Sequence, residues 1–249
     1  MRPLITLLTD FGTADGYVGE MKGVLLSRAP DARVVDITHE IPAQDVELAR
    51  LTLARVWRRF PADTVHLVVV DPGVGTDREA LAVKSDGRYL VGPDNGVLSP
   101  ALLVPGACAV TLEVPASASA SFHGRDVFAP AAASLASGAS LESLGTLARQ
   151  PTIRRTPEPH RVEDGVLAGV VISVDRFGNA ITNLVALRAG TVEVTGATLP
   201  LRRTYGDVPL GAPLAIIGSS GLIEIAVRDG SAARQLNLAR GSPVVFRSA

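Results

Sequence analysis

The feature that most constrains the fold is a change of sequence pattern near residue 150. Before it, apolar runs alternate with amphipathic segments, whereas after it short apolar runs are separated by turns that contain glycine. Between the two lies QPTIRRTPEPHRVEDG (150–165), with three prolines and six charged residues, a composition typical of a linker. We therefore predict two domains, residues 1–153 and 166–249, joined by a linker over 154–165.

The first domain has the pattern of an α/β fold with a mainly parallel sheet. Apolar runs at 4–9, 32–38 and 64–71 predict strands, and the last is apolar enough to be buried on both faces. Residues 16–29 and 44–60 predict helices between them, an alternation that favours parallel pairing with helices on both faces. Farther along, an Asp-Gly pair between two alternating segments predicts a β-hairpin.

The second domain lacks the helical pattern. Short segments rich in β-branched residues alternate with glycine turns, among them GTVEVTG, APLAIIGSS and GLIEIAVRDG. This pattern predicts a small all-β barrel or sandwich. No internal repeat is present in either domain.

Composition excludes several classes of protein. Hydrophobic residues make up 47% of the 249 residues and charged residues 20%, which excludes a disordered chain. A net charge of −1 and an aromatic content of 4% provide neither a basic field nor a stacking platform, so we expect no nucleic-acid partner. No apolar run approaches the roughly 20 residues that cross a bilayer, and the N-terminus lacks the features of a signal peptide. We therefore expect a cytoplasmic protein without a membrane partner.

Polar residues follow each of the predicted parallel strands. In such a sheet, ligands bind beyond the carboxyl ends of the strands. Each aspartate taken alone is equally well explained as a helix cap or a turn residue, but the whole set indicates a site. The residues at these strand ends and in the last loop of the domain are Asp10, Asp36, His39, Gln44, Asp71, Arg78, His123 and Arg125.

The loop DPGVGTDR (71–78) is the most specific of these segments. It holds two glycines but no lysine, and no helix is predicted after it, so it is neither a Walker loop nor a dinucleotide-binding loop. An aspartate and an arginine on one tight loop are expected to pair. Asp71 and Arg78 therefore form either a structural ion pair or part of an active site.

A second polar cluster lies in the predicted β domain. The segment SVDRFGNAITN (173–183) places an aspartate, an aromatic residue and two asparagines in one turn. An asparagine amide suits the edge of an adenine, and Phe177 and Tyr205 offer stacking surfaces, although an asparagine-rich β-turn is the alternative. Ser219 and Ser220, on a glycine turn, offer hydroxyl and backbone N–H groups to a carboxylate.

Together these motifs resemble the S-adenosyl-L-methionine (SAM) hydroxide adenosyltransferases, which are relatives of the SAM-dependent fluorinating and chlorinating enzymes. The resemblance covers nearly the whole chain and is carried by TDFG…DGYVGEMKGVL, DITHEIPAQDVELA, VVVDPGVGT…R, GPDNGVL, FHGRDVFAPAAA, DRFGNAITN and GSSGLIEIAV. It implies an N-terminal α/β domain, a C-terminal β-barrel and a homotrimer whose sites lie between subunits. The implied reaction is attack of water or hydroxide on C5′ of SAM, giving adenosine and L-methionine.

The resemblance also implies a role for individual residues. Asp71, Arg78 and His123 correspond to the catalytic Asp–Arg–His set of the family. Asp10 corresponds to the residue that binds the ribose hydroxyls, and Asn179 to the residue that faces adenine. The other implied substrate-binding residues are Phe177 and Tyr205 for stacking, Asp175, Ser219 and Ser220 at the methionine end, Glu224 and Val227 beside the adenine, and Gln44 in place of a tryptophan over the ribose.

Departures from the halogenating relatives favour hydrolysis. These relatives carry a tyrosine in place of Asp71, and the fluorinating enzyme carries a serine in place of Gly124. A carboxylate at Asp71 repels a halide but accepts a hydrogen bond from water. The implied chemistry needs no metal and no cofactor. Three alternatives stay open: a SAM-dependent halogenase, a metal-dependent hydrolase with Asp10, Asp71 and His123 as ligands, and a non-catalytic adenosine-binding module.

Overall fold

The computed structural model describes residues 2–186 and 189–249 of the chain. The chain divides into two compact units, Met1–Arg154 and Arg155–Ala249, and the division falls within the predicted linker. Among the described residues, no helix is both long and apolar enough to span a bilayer.

One mixed β-sheet forms the centre of the first unit. Its strands are β1 (Leu4–Thr9), β2 (Arg33–Thr38), β3 (Val65–Val69), β4 (Ala80–Ser85), β5 (Arg88–Pro93), β6 (Cys108–Leu112) and β7 (Gly145–Leu147), in the order β2-β1-β3-β5-β4-β6-β7. β2, β1, β3 and β5 run parallel, as predicted, whereas β4, β6 and β7 pair antiparallel with their neighbours. The sheet is parallel along one side only, because the hairpin between β4 and β5 reverses the chain.

The predicted hairpin is confirmed at Asp86 and Gly87. Their φ angles of +46° and +69° lie in the left-handed region, as a two-residue type I′ turn requires. β4 and β5 pair in register from Ser85 and Arg88 outward, so this turn sets the alignment of the two strands.

Helices cover both faces of the sheet. They are α1 (Tyr17–Arg28), α2 (Val46–Val56), α3 (Ser99–Leu102) and α4 (Ala129–Ala136), with a 3₁₀ turn over Trp57–Arg59 after α2 and a π-helical turn over Gly124–Phe128 before α4. α1 and α4 pack into one apolar core, and α2 and α3 pack into another on the opposite face. All five residues of β3 are buried, so the predicted two-sided burial of this strand is confirmed.

The second unit is a closed β-barrel. Its elements are β8 (His160–Glu163), β9 (Val166–Val174), β10 (Ala180–Thr182), β11 (Gly190–Val194), β12 (Ala197–Arg202), β13 (Pro213–Ile217), β14 (Ile223–Val227), α5 (Ala232–Gln235) and β15 (Pro243–Ser248). The order around the barrel is β10-β14-β13-β12-β11-β15-β9, and β9 closes it by pairing with β10. Apolar side chains such as Val171, Val192 and Ile225 fill the interior. The predicted all-β barrel is confirmed.

Part of the predicted linker forms a strand instead. Residues His160–Glu163 are β8, which pairs antiparallel with β9 at the edge of the barrel sheet. All four side chains are exposed, so the pairing joins backbone groups without burying a charge. A charged sequence is compatible with an exposed edge strand for this reason.

His66 is a titratable side chain within the core of the first unit. It lies on β3 with no exposed surface, its Nδ1 is 2.7 Å from Thr6 Oγ1, and its ring packs edge-on against Trp57 and Phe60. Burial and, secondly, the positive charge of Arg88 lower the pKa of His66 to about 4. The folded protein therefore holds His66 in its neutral form at neutral pH.

We predict that acid destabilises the fold through His66. An unfolded histidine has a pKa of about 6.5, so between pH 6.5 and pH 4 the unfolded state binds a proton that the folded state does not. The free energy of unfolding should fall by about 3 kcal/mol as the pH falls through this window. Denaturant titrations should show this loss in the wild type and in His160→Gln, an exposed histidine, but not in His66→Gln. An identical pH dependence in His66→Gln would contradict the prediction.

Candidate active site

A cavity of about 300 Å³ opens at the carboxyl ends of β1 and β3. Four of the predicted residues line it, and they come from four different loops. They are Asp10, Gln44, Asp71 and His123. β1 and β3 are parallel neighbours, so the loops that follow them begin at the same edge of the sheet.

The aromatic wall of this cavity was missed by the sequence analysis. Phe11 and Phe122 line it with ring centroids 5.9 Å apart, and Tyr17 packs against both rings at 5.8 and 5.3 Å. Each phenylalanine is a neighbour in sequence of a predicted polar residue, Asp10 or His123. This adjacency is the signal from which both phenylalanines could have been predicted.

Arg78 joins Asp71 and His123 into one hydrogen-bonded set. Its Nε donates to Asp71 Oδ1 at 2.9 Å, its Nη2 contacts Asp71 Oδ2, and the same Nη2 lies 3.0 Å from His123 Nδ1. The side chains of Asp71 and Arg78 are only 5% and 9% exposed, and the guanidinium lies 5.2 Å from the centre of the Phe128 ring. The ion pair expected from the loop sequence is therefore present and shielded from water, where charges interact more strongly.

This set fixes the form of the His123 ring. Arginine only donates hydrogen bonds, so Arg78 makes His123 Nδ1 the acceptor and leaves the ring proton on Nε2. Burial and then the positive charge of Arg78 lower the pKa of His123, while Asp71 and Asp126 partly oppose the shift. The neutral ring therefore carries an N–H donor at Nε2.

The loop between β2 and α2 holds Asp10 in place. Its Oδ2 accepts a hydrogen bond from the backbone N–H of Gln44 at 2.7 Å, and Gln44 adopts a left-handed backbone with a φ of +68°. His39 Nδ1 is 2.8 Å from Thr9 Oγ1, and the His39 carbonyl accepts from the N–H of Gly12 at 2.8 Å. His39 is thus hydrogen-bonded to Thr9, before Asp10, and to Gly12, after it.

Gly124 lines the cavity and is closely packed. A Cβ at this position would lie 3.2 Å from Phe122 Cε2, 3.3 Å from Met21 Sδ and 3.4 Å from Val69 Cγ1. A serine at this position, which the family resemblance implies for the fluorinating enzyme, would therefore require these side chains to shift.

Two other predicted residues, Asp36 at a strand end and Arg125 in the last loop, are not among the residues that line this cavity. Asp36 Oδ2 accepts from Lys22 Nζ at 2.7 Å, and these two charges form a partly exposed ion pair. Arg125 bridges Glu20 on α1 and Asp126, with a contact of 2.7 Å to each. Arg125 lines a second and larger cavity of about 550 Å³, which does not include the Asp–Arg–His set.

The predicted base-binding residues line a separate cavity in the second unit. It measures about 470 Å³, and Phe177, Asn179, Tyr205 and Val227 contribute to its wall. Phe177 and Tyr205 are 75% and 40% exposed, so both rings are accessible to a ligand. The lining also includes residues that the sequence analysis missed: Asp229, Gly230 and Arg234.

Asp175 organises the turn that carries two of these residues. Its Oδ1 accepts from the backbone N–H groups of Phe177 and Asn179 at 2.9 and 2.8 Å, and its Oδ2 accepts from Asn179 Nδ2 at 2.9 Å. Asn179 Nδ2 also lies 3.4 Å from the Tyr205 hydroxyl. These are the bonds of a turn-forming aspartate, so Asp175 orients Asn179 in the cavity wall.

Asn183, the second asparagine of SVDRFGNAITN, forms hydrogen bonds to two backbone segments of the second unit. Asn183 Oδ1 accepts from the backbone N–H of Val170 at 2.8 Å, and its Nδ2 donates to the carbonyl of Pro157 at 2.8 Å. Both ends of this amide are therefore bonded to the backbone of the second unit. Of the two asparagines, Asn179 is the one in the cavity wall.

Three further predicted residues lie outside the described lining of this cavity. Ser219 and Ser220 are exposed in the turn between β13 and β14. Glu224 is buried on β14, and its carboxylate lies so close to Gly218 that a Cβ would collide with it. Burial and then the negative charge of Glu224 raise the pKa of Tyr205, so Glu224 acts on the cavity through its charge.

The first cavity does not have the arrangement of a metal site. Among residues 2–186 and 189–249, no group of three His, Cys, Asp or Glu side chains is placed to hold a metal ion. Asp71 and His123 are already bonded to the guanidinium of Arg78, whose positive charge repels a metal cation. This geometry gives no support to the metal-dependent alternative.

Comparison with models of protein families shows to which family the chain belongs. Residues 5–145 match the SAM hydroxide adenosyltransferase N-terminal domain, and residues 169–245 match the C-terminal domain of the same family. The chain belongs to the SAM hydroxide adenosyltransferase family. The resemblance inferred from the sequence motifs is therefore confirmed.

Individual relatives carry two different names, and the identity of this chain to each group differs. A protein named (R)-S-adenosyl-L-methionine hydrolase from Thermus thermophilus is 47% identical, with 98% of this chain and 99% of that protein covered. A crystal structure of a conserved protein from Thermotoga maritima matches with a TM-score of 0.89 at 35% identity, covering 98% and 99% of the two chains. A protein named fluorinase from an Actinoplanes species is only 28% identical, over 99% of this chain and 98% of its own.

Proposed function

We propose that this member of the family hydrolyses SAM to adenosine and L-methionine by attack of water or hydroxide at C5′. The Asp–Arg–His set at the first cavity carries the proposal, because it gathers a carboxylate, a guanidinium and an imidazole N–H in one shielded cluster. The name of the Thermus thermophilus relative, at 47% identity, supports it. No cofactor is proposed, because SAM carries its own leaving group.

The reaction requires an activated nucleophile but no acid. The C5′–S bond breaks to release a neutral thioether, so the leaving group needs no proton. The C5′–O bond forms from a water molecule that gives up one proton before or during attack. A site that excludes bulk water and aligns this oxygen with the C5′–S bond supplies much of the rate enhancement.

We assign different roles to the members of the Asp–Arg–His set. Neutral His123 carries its ring proton on Nε2, so it donates a hydrogen bond to the nucleophilic oxygen and does not take its proton. Arg78 supplies positive charge that stabilises hydroxide as it forms. Asp71 keeps lone pairs beyond the two that Arg78 uses, and it accepts the proton.

Substrate binding is proposed to use both cavities. Asp10 would accept hydrogen bonds from the ribose hydroxyls, with Gln44 beside it. In the second unit, Asn179 would face the edge of the adenine. The remaining residues are proposed from the family resemblance: Phe177 and Tyr205 for stacking, Glu224 and Val227 beside the base, and Asp175, Ser219 and Ser220 at the methionine end.

We also propose a cytoplasmic homotrimer with each substrate site formed between subunits. The trimeric arrangement is proposed from the family resemblance. Head-to-tail contacts in a closed ring of three give three equivalent sites.

Incubation of the protein with SAM in ¹⁸O-labelled water tests the proposed reaction. We expect adenosine and L-methionine in equal amounts, with the label in the 5′-hydroxyl of adenosine, because the oxygen that attacks C5′ comes from water. Chromatography with mass spectrometry measures both products. Label confined to the methionine carboxylate, or no adenosine at all, would contradict the proposal.

The same assay, repeated at high chloride and with a chelator, distinguishes the alternative functions. A halogenase would form 5′-chloro-5′-deoxyadenosine at high chloride, and we expect none because the Asp71 carboxylate repels halide at the cavity. A metal-dependent hydrolase would stop when a chelator is added, whereas we expect an unchanged rate. A binding module would retain adenosine without turnover.

A further inference from the structure

The segment GPDNGVL (92–98) is one of the family motifs, and no role described above includes it. It begins at the end of β5, which pairs with both β3 and β4. β3 leads into Asp71, and β4 begins shortly after Arg78. The turn that follows β5 therefore lies beside both ends of the loop that carries the Asp71–Arg78 ion pair.

Asn95 in this turn contacts the backbone immediately before Asp71. Its Nδ2 donates to the Val70 carbonyl at 2.9 Å, and its Oδ1 accepts from the N–H of Val97 at 3.1 Å. Arg154 Nε donates to the Asn95 carbonyl at 2.8 Å and holds the turn itself. Val70 is fully buried, so its carbonyl depends on Asn95 where water is excluded. Asn95 thus fixes the peptide group that joins Val70 to Asp71.

Asp94 contacts the other end of the loop. Its backbone N–H donates to the Glu79 carbonyl at 2.9 Å, and the same carbonyl accepts from Arg78 Nη1 at 3.3 Å. Asp94 Oδ1 in turn accepts from the N–H of Thr152 at 2.7 Å. The turn after β5 is therefore bonded to the backbone on the Asp71 side and to a carbonyl that Arg78 itself uses.

We propose that Asn95 is a positioning residue for the reaction, which holds the Asp71 carboxylate in register with Arg78 through the Val70 peptide. The inference rests on the proposed function. Asn95 lies outside the described lining of the first cavity, so its loss should affect the chemical step more than substrate binding. Misplacement of a reacting group by about 1 Å lowers a rate by about 10²-fold, so even a small shift of this peptide is measurable.

The test compares Asn95→Asp with Asn183→Asp. Both asparagines donate Nδ2 to a backbone carbonyl and accept a backbone N–H at Oδ1, so both changes remove the same donor at constant size. Asn183 lies in the barrel and controls for the loss of stability, which thermal unfolding measures. We expect kcat to fall about 10- to 100-fold in Asn95→Asp with KM within about twofold, and both constants to stay within about twofold in Asn183→Asp.

Asn95→Ala removes the donor without adding a charge near Asp71. It should show the same loss of kcat at unchanged KM, and a normal kcat in a folded Asn95→Ala would overturn the proposal. An equal fall of kcat in Asn183→Asp would also overturn it, because the effect would then follow from stability alone.

A second readout does not depend on turnover. The ¹H–¹⁵N signal of Arg78 Nε, identified by its loss in Arg78→Lys, reports the bond to Asp71 Oδ1. It should exchange faster with water in Asn95→Asp and Asn95→Ala but not in Asn183→Asp. If wild type forms no adenosine, the proposed function is overturned, and the exchange of the Arg78 signal alone then tests the role of Asn95. Unchanged exchange in both Asn95 variants would overturn the positioning role.

Discussion

Replacing Arg78 with alanine should lower the turnover of SAM by about 10²-fold or more. Arg78 contacts both carboxylate oxygens of Asp71 and also His123 Nδ1, so one substitution separates all three members of the Asp–Arg–His set. It also leaves Asp71 buried, at 5% exposure, without its cation, which costs about 3–5 kcal/mol of stability. Steady-state kinetics and denaturant unfolding should therefore both register the change.

Two companion variants separate lost chemistry from lost stability. Arg78→Lys keeps the positive charge, but a single ammonium does not reproduce the planar fork that bonds Asp71 and His123 together, so we expect turnover to stay low. His123→Ala leaves the Asp71–Arg78 pair intact, so it should remain folded while turnover falls about 10²-fold. Wild-type kcat in folded samples of both variants would show that the set is structural.

The core of the candidate site could be predicted because it depends on local sequence. Asp71 and Arg78 lie seven residues apart on a loop that follows a fully buried strand, so their ion pair requires only a tight turn. His123 lies 45 residues beyond Arg78, in the last loop of the domain, and it was the resemblance to the family that grouped it with Asp71 and Arg78. The position of the ring proton of His123 is set by the hydrogen bond that Arg78 donates to Nδ1. That hydrogen bond depends on side-chain packing, which no sequence motif specifies.

Features that depend on contacts between distant segments were not predictable in the same way. Charge and proline content predict a linker over residues 154–165, but the pairing of residues 160–163 with β9 depends on a free strand edge, which the sequence of the segment does not show. The two asparagines of GNAITN offer the same chemistry in sequence. Only the folded barrel sets Asn183 between Val170 and Pro157 and leaves Asn179 in the cavity wall.

Refolding two inactive variants together should restore about a quarter of wild-type activity. Asp71 belongs to the first unit and Asn179 to the second. In the proposed trimer, a site is intact when its α/β unit comes from an Asn179→Ala chain and its barrel from an Asp71→Ala chain. In an equal random mixture, each condition is met with a chance of about one half, so about a quarter of the sites are intact. Turnover of SAM after joint unfolding and refolding measures this fraction.

The dependence on the mixing ratio makes this prediction specific to shared sites. Activity should follow the product of the two chain fractions, with its maximum at equal mixing and none at either extreme. Each variant refolded alone should stay inactive, and wild type taken through the same treatment sets the scale. If each site were built from one chain, every chain in the mixture would still carry one defect. The mixture would then remain inactive at all ratios, which would overturn the proposed arrangement while leaving the hydrolysis itself untouched.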